Sequence, residues 1–197
     1  MSLFSRLEFR YAVHQLSDMP PDCGSEVAFA GRSNAGKSTA INALANRRKL
    51  AFVSKTPGRT QAINFFDMGN QCSLVDLPGY GYAKVPRAEQ ERWDGLIGTY
   101  ISNRNSLILL IIIVDIRRGL TTLDRQLLSW LAPTNKPVHI LLTKADKLTR
   151  QQASTILQQT EAELARHPGE ATAQIFSGTS KTGVKQAQAV VARWLKQ

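Results

Sequence analysis

Two glycines with four residues between them, followed by a lysine and hydroxyl side chains, are able to hold a phosphate. Gly31 and Gly36 bracket Arg32, Ser33, Asn34 and Ala35, and Lys37, Ser38 and Thr39 follow. The spacing fits G-x-x-x-x-G-K-[ST]. Glycine lets backbone N–H groups turn inward around phosphate oxygens with no Cβ in the way. A helix that starts at Lys37 adds the positive end of its dipole. Lys37 is a mobile point charge with the reach for β- and γ-phosphates. The Ser38 hydroxyl is a hard oxygen donor of the kind Mg²⁺ prefers. Any glycine turn could carry these letters, so the neighbouring elements decide. The apolar run "EVAFA" (26–30) comes just before, and "KSTAINALANRR" just after, with Ile41, Leu44 and Ala45 on one side. Strand, glycine loop and helix is the order a phosphate cradle needs.

Two further clusters sit directly after apolar runs. In "LVDLPG" (74–79), Asp76 ends a strand, where its carboxylate is placed to hold the Mg²⁺ shell through a water. Gly79 offers a backbone N–H to a γ-phosphate. In "LLTKADK" (141–147), Asp146 has the geometry to accept from both N1–H and N2–H of guanine. Adenine lacks that donor pair, and a polar group left unpaired gives such a site its selectivity. The methylene stem of Lys144 is long enough to lie over the base. "NKP" at 135–137 is a decoy, because Val138 stands where the aspartate belongs.

The elements that must position these residues follow from periodicity. The sequence predicts a helix from Lys37, a hairpin of "AINFFDM" and "QCSLVDL" turning at Gly69 and Asn70, and a helix over about 87–103. It then predicts an apolar strand at 106–115, a helix near 122–132, the strand "VHILLT" (138–143) and a helix near 149–166. The strand "TAQIFS" and a last helix from about Lys181 close the chain. Such alternation predicts an α/β fold of three layers, with a mostly parallel six-stranded sheet, one antiparallel strand and helices on both faces. Residues 1–25 read as an extension packed on a domain spanning 26–197, with "DMPPDCGS" as the loop between them. The stretch "RKLAFVSKTPGRTQ" (48–61) is a long loop, and long loops tend to be functional.

With 197 residues the chain is sized for one domain, and 25 basic against 15 acidic residues give a net charge of +10. That charge points to a polyanion, nucleic acid before an anionic membrane surface, or to a simply basic solvated surface. Cys23 and Cys72 form no metal-ligand pattern and read as two reduced thiols in a cytoplasmic protein. No secretory signal is expected. "LILLIIIV" (107–114) is far short of the ~20 residues a membrane span needs, so it reads as a buried central strand.

Taken together, "GRSNAGKS", "TPGRTQ", "DLPGYGYA" and "TKADK" resemble the EngB (YihA/YsxC) family of small bacterial P-loop GTPases. The resemblance runs from about Glu26 to the C-terminus. It implies GTP and GDP as ligands, Mg²⁺ as the metal and a role in assembly of the large ribosomal subunit. By the same resemblance the protein is needed for normal division and septation. The segment "TPGRTQ", with Gly58 and Arg59, becomes the first mobile loop. It offers Thr56 and Thr60, and the family pattern gives Thr60 the Mg²⁺ ligand role when a γ-phosphate is present. Lys37, Thr60 and Gly79 become the catalytic set. "FSGTSKTG" becomes the last base contact, with Phe176 leading into Ser177 and Gly178, whose backbone groups would lie near guanine O6. In related GTPases an asparagine placed like Asn34 helps to hold K⁺.

There are two departures from the commonest GTPase pattern. Thr143 stands where asparagine is usual, and its hydroxyl is expected to tie loops together. Tyr80 stands where many GTPases have a water-orienting glutamine, so intrinsic hydrolysis is expected to be slow, on the order of 10⁻³ s⁻¹ or less.

The basic residues flank the loops. Arg47, Arg48 and Lys49 lie beside the first, and Lys84, Arg87 and Arg92 beside the second. On the last helix, Lys181, Lys185, Arg193 and Lys196 oppose an apolar face of Val184, Ala187, Val191, Trp194 and Leu195. Backbone and shape contacts on folded rRNA fit this pattern better than base readout. The alternative is a nucleotide-gated binding module for a protein or membrane surface with negligible turnover. An ATPase would leave Asp146 and Lys144 without a purpose. A monomer is expected.

Overall fold

The computed structural model describes residues 3–47, 50–51, 62–81 and 87–196. The strands are β1 (Glu8–Val13), β2 (Ser25–Gly31), β3 (Ile63–Gly69), β4 (Cys72–Asp76), β5 (Leu107–Asp115), β6 (Val138–Thr143) and β7 (Ala171–Ile175). The α-helices are α1 (Lys37–Leu44), α2 (Arg87–Asn103), α3 (Thr122–Leu131), α4 (Arg150–Leu164) and α5 (Val184–Trp194). Among the described residues the strands form one sheet in the order β1-β3-β4-β2-β5-β6-β7.

The sheet therefore has seven strands, not six. The extra one is β1, "EFRYAV", which pairs antiparallel with the outer edge of β3. β3 alone runs against the other strands, and its pairings with β1 and β4 are the two antiparallel ones. Only Val13 of β1 is buried, because an edge strand covered on one side needs little apolar surface. The hairpin turns at Asn70 and Gln71, at φ 54° and 58°, one residue later than the sequence suggests. Two successive left-handed residues match the right-handed twist of the strands they join.

β5 is buried on both faces. Leu110, Ile112 and Val114 point into a core roofed by α2, α3 and α4, while Leu109, Ile111 and Ile113 point into a core roofed by α1 and α5. A continuous apolar run is what a central parallel strand requires. The parallel register sets Gly31 opposite Ile113, and Asp115 opposite Thr143. Asp76, at the end of β4, pairs with Phe29. The carboxyl ends of β2, β4, β5 and β6 thus meet along one sheet edge, the place where open α/β sheets bind ligands.

The opposite edge is pinned by a buried ion pair. Arg104, just past α2, donates to Glu26 at 2.6 Å and to the carbonyls of Pro20 and Pro21 at 2.8 and 3.1 Å. Tyr100 donates its hydroxyl to Glu26 at 2.8 Å. Asp22 accepts from Asn105 N, Ser106 N and Ser106 Oγ. Burial pushes the Asp22 carboxyl up, but these hydrogen bonds and the Arg104 charge outweigh it and hold it at about 2.

Of the basic residues expected on the last helix, Lys181 precedes it in a left-handed turn, and Lys196 follows it. Arg193 is ion-paired with Glu170 and stacks over Trp194, which is half-buried against the core. Lys185 remains as the exposed cation of the helix body. Cys72 is buried and Cys23 exposed, both as free thiols.

Candidate functional site

The phosphate loop leaves β2 at Gly31 and enters α1 at Lys37. Gly31 packs so closely on β5 that a Cβ there would stand 2.8 Å from Ile113 O. Asn34 (φ 62°) and Gly36 (φ 103°) take left-handed conformations that reverse the chain within the loop. Asparagine is among the few residues with a side chain that tolerate this. The Ala35 N–H donates to Arg32 O at 3.0 Å, closing the turn. Lys37 Nζ is ion-paired with Asp76 Oδ1, and both side chains are nearly buried.

Thr143 ties this loop to the ends of β5 and β6. Its Oγ1 lies 2.5 Å from Ala35 O and 3.0 Å from Val114 O, so one hydroxyl bridges the glycine loop, β5 and β6. The loop-tying role expected from the sequence is what the geometry displays. Lys144, left-handed at φ 60°, stretches its Nζ to Asn34 O at 2.6 Å and to Asp115 Oδ2 at 2.9 Å. Asp115 also binds Arg117, at 2.9 Å from Nε and 2.6 Å from Nη2. Burial raises the Asp115 carboxyl, yet the bonds from Arg117 and Lys144 hold it well below the usual carboxylate range.

Asp146 accepts from Ser177 Oγ at 2.6 Å and is ion-paired with Lys147 at 3.2 Å. The Ser177 hydroxyl, then Lys147, hold the Asp146 carboxyl below its ordinary value. Ser177 serves through its side chain here. Its N–H is bonded to Thr182 O at 2.9 Å, closing the 177–182 turn and leaving that donor unavailable to a base. Phe176 is fully buried, and its N–H and O pair with Leu142 and Ala145, fixing the turn beside β6. Gly178 lies against α1, where a Cβ would meet Thr39 Cγ2 at 2.8 Å.

The second loop begins by continuing the sheet. Tyr80 N–H donates to Gly31 O at 3.2 Å and Ser33 N–H to Tyr80 O at 3.0 Å, as an isolated bridge between Arg32 and Tyr80. Gly79 is pressed against the loop, so that a Cβ would stand 3.3 Å from Ser33 N. The Tyr80 hydroxyl donates to Asp124 Oδ1 at 2.6 Å. Burial, then the Asp124 charge and hydrogen bond, keep that phenol well above its ordinary pKa.

The structure therefore brings together residues 31–39, Asp76, Gly79, Tyr80, Thr143, Lys144, Asp146 and 176–178. Thr56, Gly58, Arg59 and Thr60, with the basic Arg48, Lys49 and Lys84, lie outside the described residues. Three contributors were not anticipated. Asp115 was readable as a carboxylate ending the most apolar run. Asp124 and Asn42 gave no signal. The Asn42 side chain accepts from Leu50 N and Ala51 N at 2.9 and 2.8 Å and donates to Ala51 O at 3.0 Å, clamping the start of the first loop to α1.

The donor set suits Mg²⁺. Ser38 and Asp76 supply hard oxygens, and among the described residues no cluster of three or more His, Cys, Asp or Glu is able to hold a metal alone.

Comparison with known proteins agrees with this geometry. Residues 26–144 match the family model described as "50S ribosome-binding GTPase". The chain is 54% identical over 195 residues to a probable GTP-binding protein EngB of Methylobacillus flagellatus, covering 99% of this chain and 94% of that protein. It is 53% identical over 196 residues to that of Azoarcus sp., with the same coverage, 99% and 94%. Among solved structures, a probable GTP-binding protein engB superposes with a TM-score of 0.68 at 24% identity, covering 87% of this chain and 99% of that one. Aquifex aeolicus Era bound to GDP and AlF4⁻ superposes at 0.67 and 19% identity, covering 86% of this chain and 56% of that one. These structural likenesses speak to the fold.

Proposed function

This chain belongs to the EngB family of GTP-binding proteins, and we propose that it works as a slow Mg²⁺-dependent switch during assembly of the large ribosomal subunit. It is a GTPase that binds guanine nucleotides. Convergence of three loops at one sheet edge carries the reading: Lys37 and Asp76 at the phosphate end, Thr143 between, and Asp146 with Ser177 at the base end. We take residues 26–197 as the GTP-binding unit and 1–25 as an extension packed on it.

Asp146 accepts the two guanine N–H groups, its carboxylate already aimed by Ser177. Lys144 lays its stem beside the base and anchors its amine on Asp115. Lys37 exchanges Asp76 for β- and γ-phosphate oxygens, which frees the Asp76 carboxylate that would help to hold Mg²⁺. Ser38 and Thr60 are the hydroxyls that would hold Mg²⁺, which would neutralise phosphate charge. Gly79 N–H and Thr60 together sense the γ-phosphate, and its loss lets both loops relax. Asn34 would help to hold K⁺ beside the phosphates. The Tyr80 hydroxyl is spent on Asp124, so this side chain orients no water, in keeping with slow turnover.

The family model's description and the +10 net charge support rRNA of the large subunit as partner. Among the described residues no helix is long and apolar enough to cross a membrane. We further propose a cytoplasmic monomer whose loss impairs division and septation downstream of ribosome supply. The test is co-sedimentation with large subunits, using a GTP analogue against GDP over a KCl series, with anionic vesicles as control. Analogue-dependent binding that falls steeply with salt is expected. Binding that ignores the nucleotide, or that prefers vesicles, overturns the ribosomal reading in favour of a gated module for another surface.

A further inference from the structure

We propose that Asp124 is a positioning residue for the GTP-bound state, seating Gly79 against the phosphate loop by holding the Tyr80 hydroxyl. The idea rests on the assignment of Gly79 N–H to the γ-phosphate.

Asp124 is only 1% exposed, on the first turn of α3. A carboxylate there has an ordinary job, which is to cap the helix. Oδ2 does that job, accepting from Thr121 N at 2.7 Å and Thr121 Oγ1 at 2.6 Å. Oδ1 is not needed for it and accepts from Tyr80 Oη at 2.6 Å. One carboxylate therefore joins the cap of α3 to the loop that follows Asp76.

Tyr80 is held at both its ends. Its backbone is laddered to Gly31 and Ser33, and its ring runs down to α3. Gly81, at φ 76°, follows in a slot where a Cβ would stand 2.7 Å from Leu123 Cδ1 and 3.1 Å from Arg32 Nε. The chain on the C-terminal side of Gly79 is thus clasped between the phosphate loop and the start of α3. None of the bonds named uses the Gly79 N–H. A tyrosine in place of a water-orienting residue then serves as a fixed strut. Burial and the Asp124 charge keep its proton on, so it donates throughout the physiological pH range.

A strut that seats only the γ-phosphate sensor should matter for GTP and not for GDP. Calorimetric titration with a non-hydrolysable GTP analogue and with GDP tests this on Tyr80→Phe, Asp124→Asn and the double variant. Tyr80→Phe removes one hydroxyl and leaves the helix cap intact, so it decides alone if Asp124→Asn fails to fold. The expected result is an analogue Kd raised about fivefold with GDP within about twofold, and a double variant no weaker than Asp124→Asn. Unchanged analogue affinity, equal losses for both nucleotides, or additive losses in the double variant would overturn the proposal. Replacing the Gly79 amide N–H by an ester oxygen separates it from its premise. If that ester loses analogue preference and Tyr80→Phe does not, the strut is wrong and the phosphate contact stands. If the ester loses none, both fail.

Discussion

Lys144 Nζ lies 2.9 Å from Asp115 Oδ2, and the pair draws a lysine stem across the glycine loop, its Cε within 3.9 Å of a Cβ built at Gly36. The aspartate also grips Arg117, so a single carboxylate fixes a base-side cation and the start of the 116–121 connection. Asp115→Asn should weaken GDP and GTP alike, by about tenfold, because the stem loses its anchor while the phosphate contacts survive. Calorimetry with both nucleotides checks it. A loss confined to GTP would mean that Asp115 acts at the phosphate end.

Asp146→Asn should move base preference from guanine to xanthine. The amide reverses one donor–acceptor pair, and xanthine carries an oxygen where guanine has its 2-amino group. GDP affinity should fall on the order of 100-fold, with xanthosine diphosphate gaining what GDP loses. Retained guanine selectivity would sink the assignment of "TKAD".

Thr143→Val keeps the shape and deletes a buried hydroxyl that serves Ala35 O and Val114 O. Stability should drop by about 1–2 kcal/mol, read by denaturant unfolding. GDP binding should weaken as well, because Ala35 belongs to the phosphate loop. A variant as stable as the parent would mean that the bridge contributes nothing net.

Asp22 makes stability depend on acid. Its folded pKa, about 2, lies below the 3.8 of an unperturbed aspartate, so its contribution is whole above 3.8 and is lost as pH falls toward 2. Asp22→Asn should therefore lower Tm at pH 7, with the two melting curves converging near pH 2. A difference in Tm that persists undiminished at low pH would exclude this origin.

How much of this was legible beforehand differs by residue. Gly31, Gly36, Lys37 and Ser38 were readable because backbone chemistry demands those types at fixed spacing. Asp76 was readable because it ends an apolar run, Asp146 because it closely follows one, and β5 because only a doubly covered strand tolerates "LILLIIIVD". The partner of Tyr80 was not readable. Asp124 is 44 positions away and looks locally like a helix cap. Ser177 was expected to offer its backbone and offers its hydroxyl instead, a choice made by the turn that Thr182 closes. Asn42 hides on α1 as one polar residue among apolar ones, and its three bonds depend on where residues 50 and 51 return. β1 escaped notice because its exposed pattern carries little periodicity, and only the waiting edge of β3 makes it a strand.

That outermost strand carries a practical consequence. Shortening the protein from its amino terminus past Val13 would strip the partner from β3 and leave a row of bare amides and carbonyls facing water. Such a seam recruits whatever extended peptide is nearby, including the same seam on a sibling molecule. Trimmed preparations should therefore clump, and the remedy is to keep the chain through Val13 rather than to change the buffer.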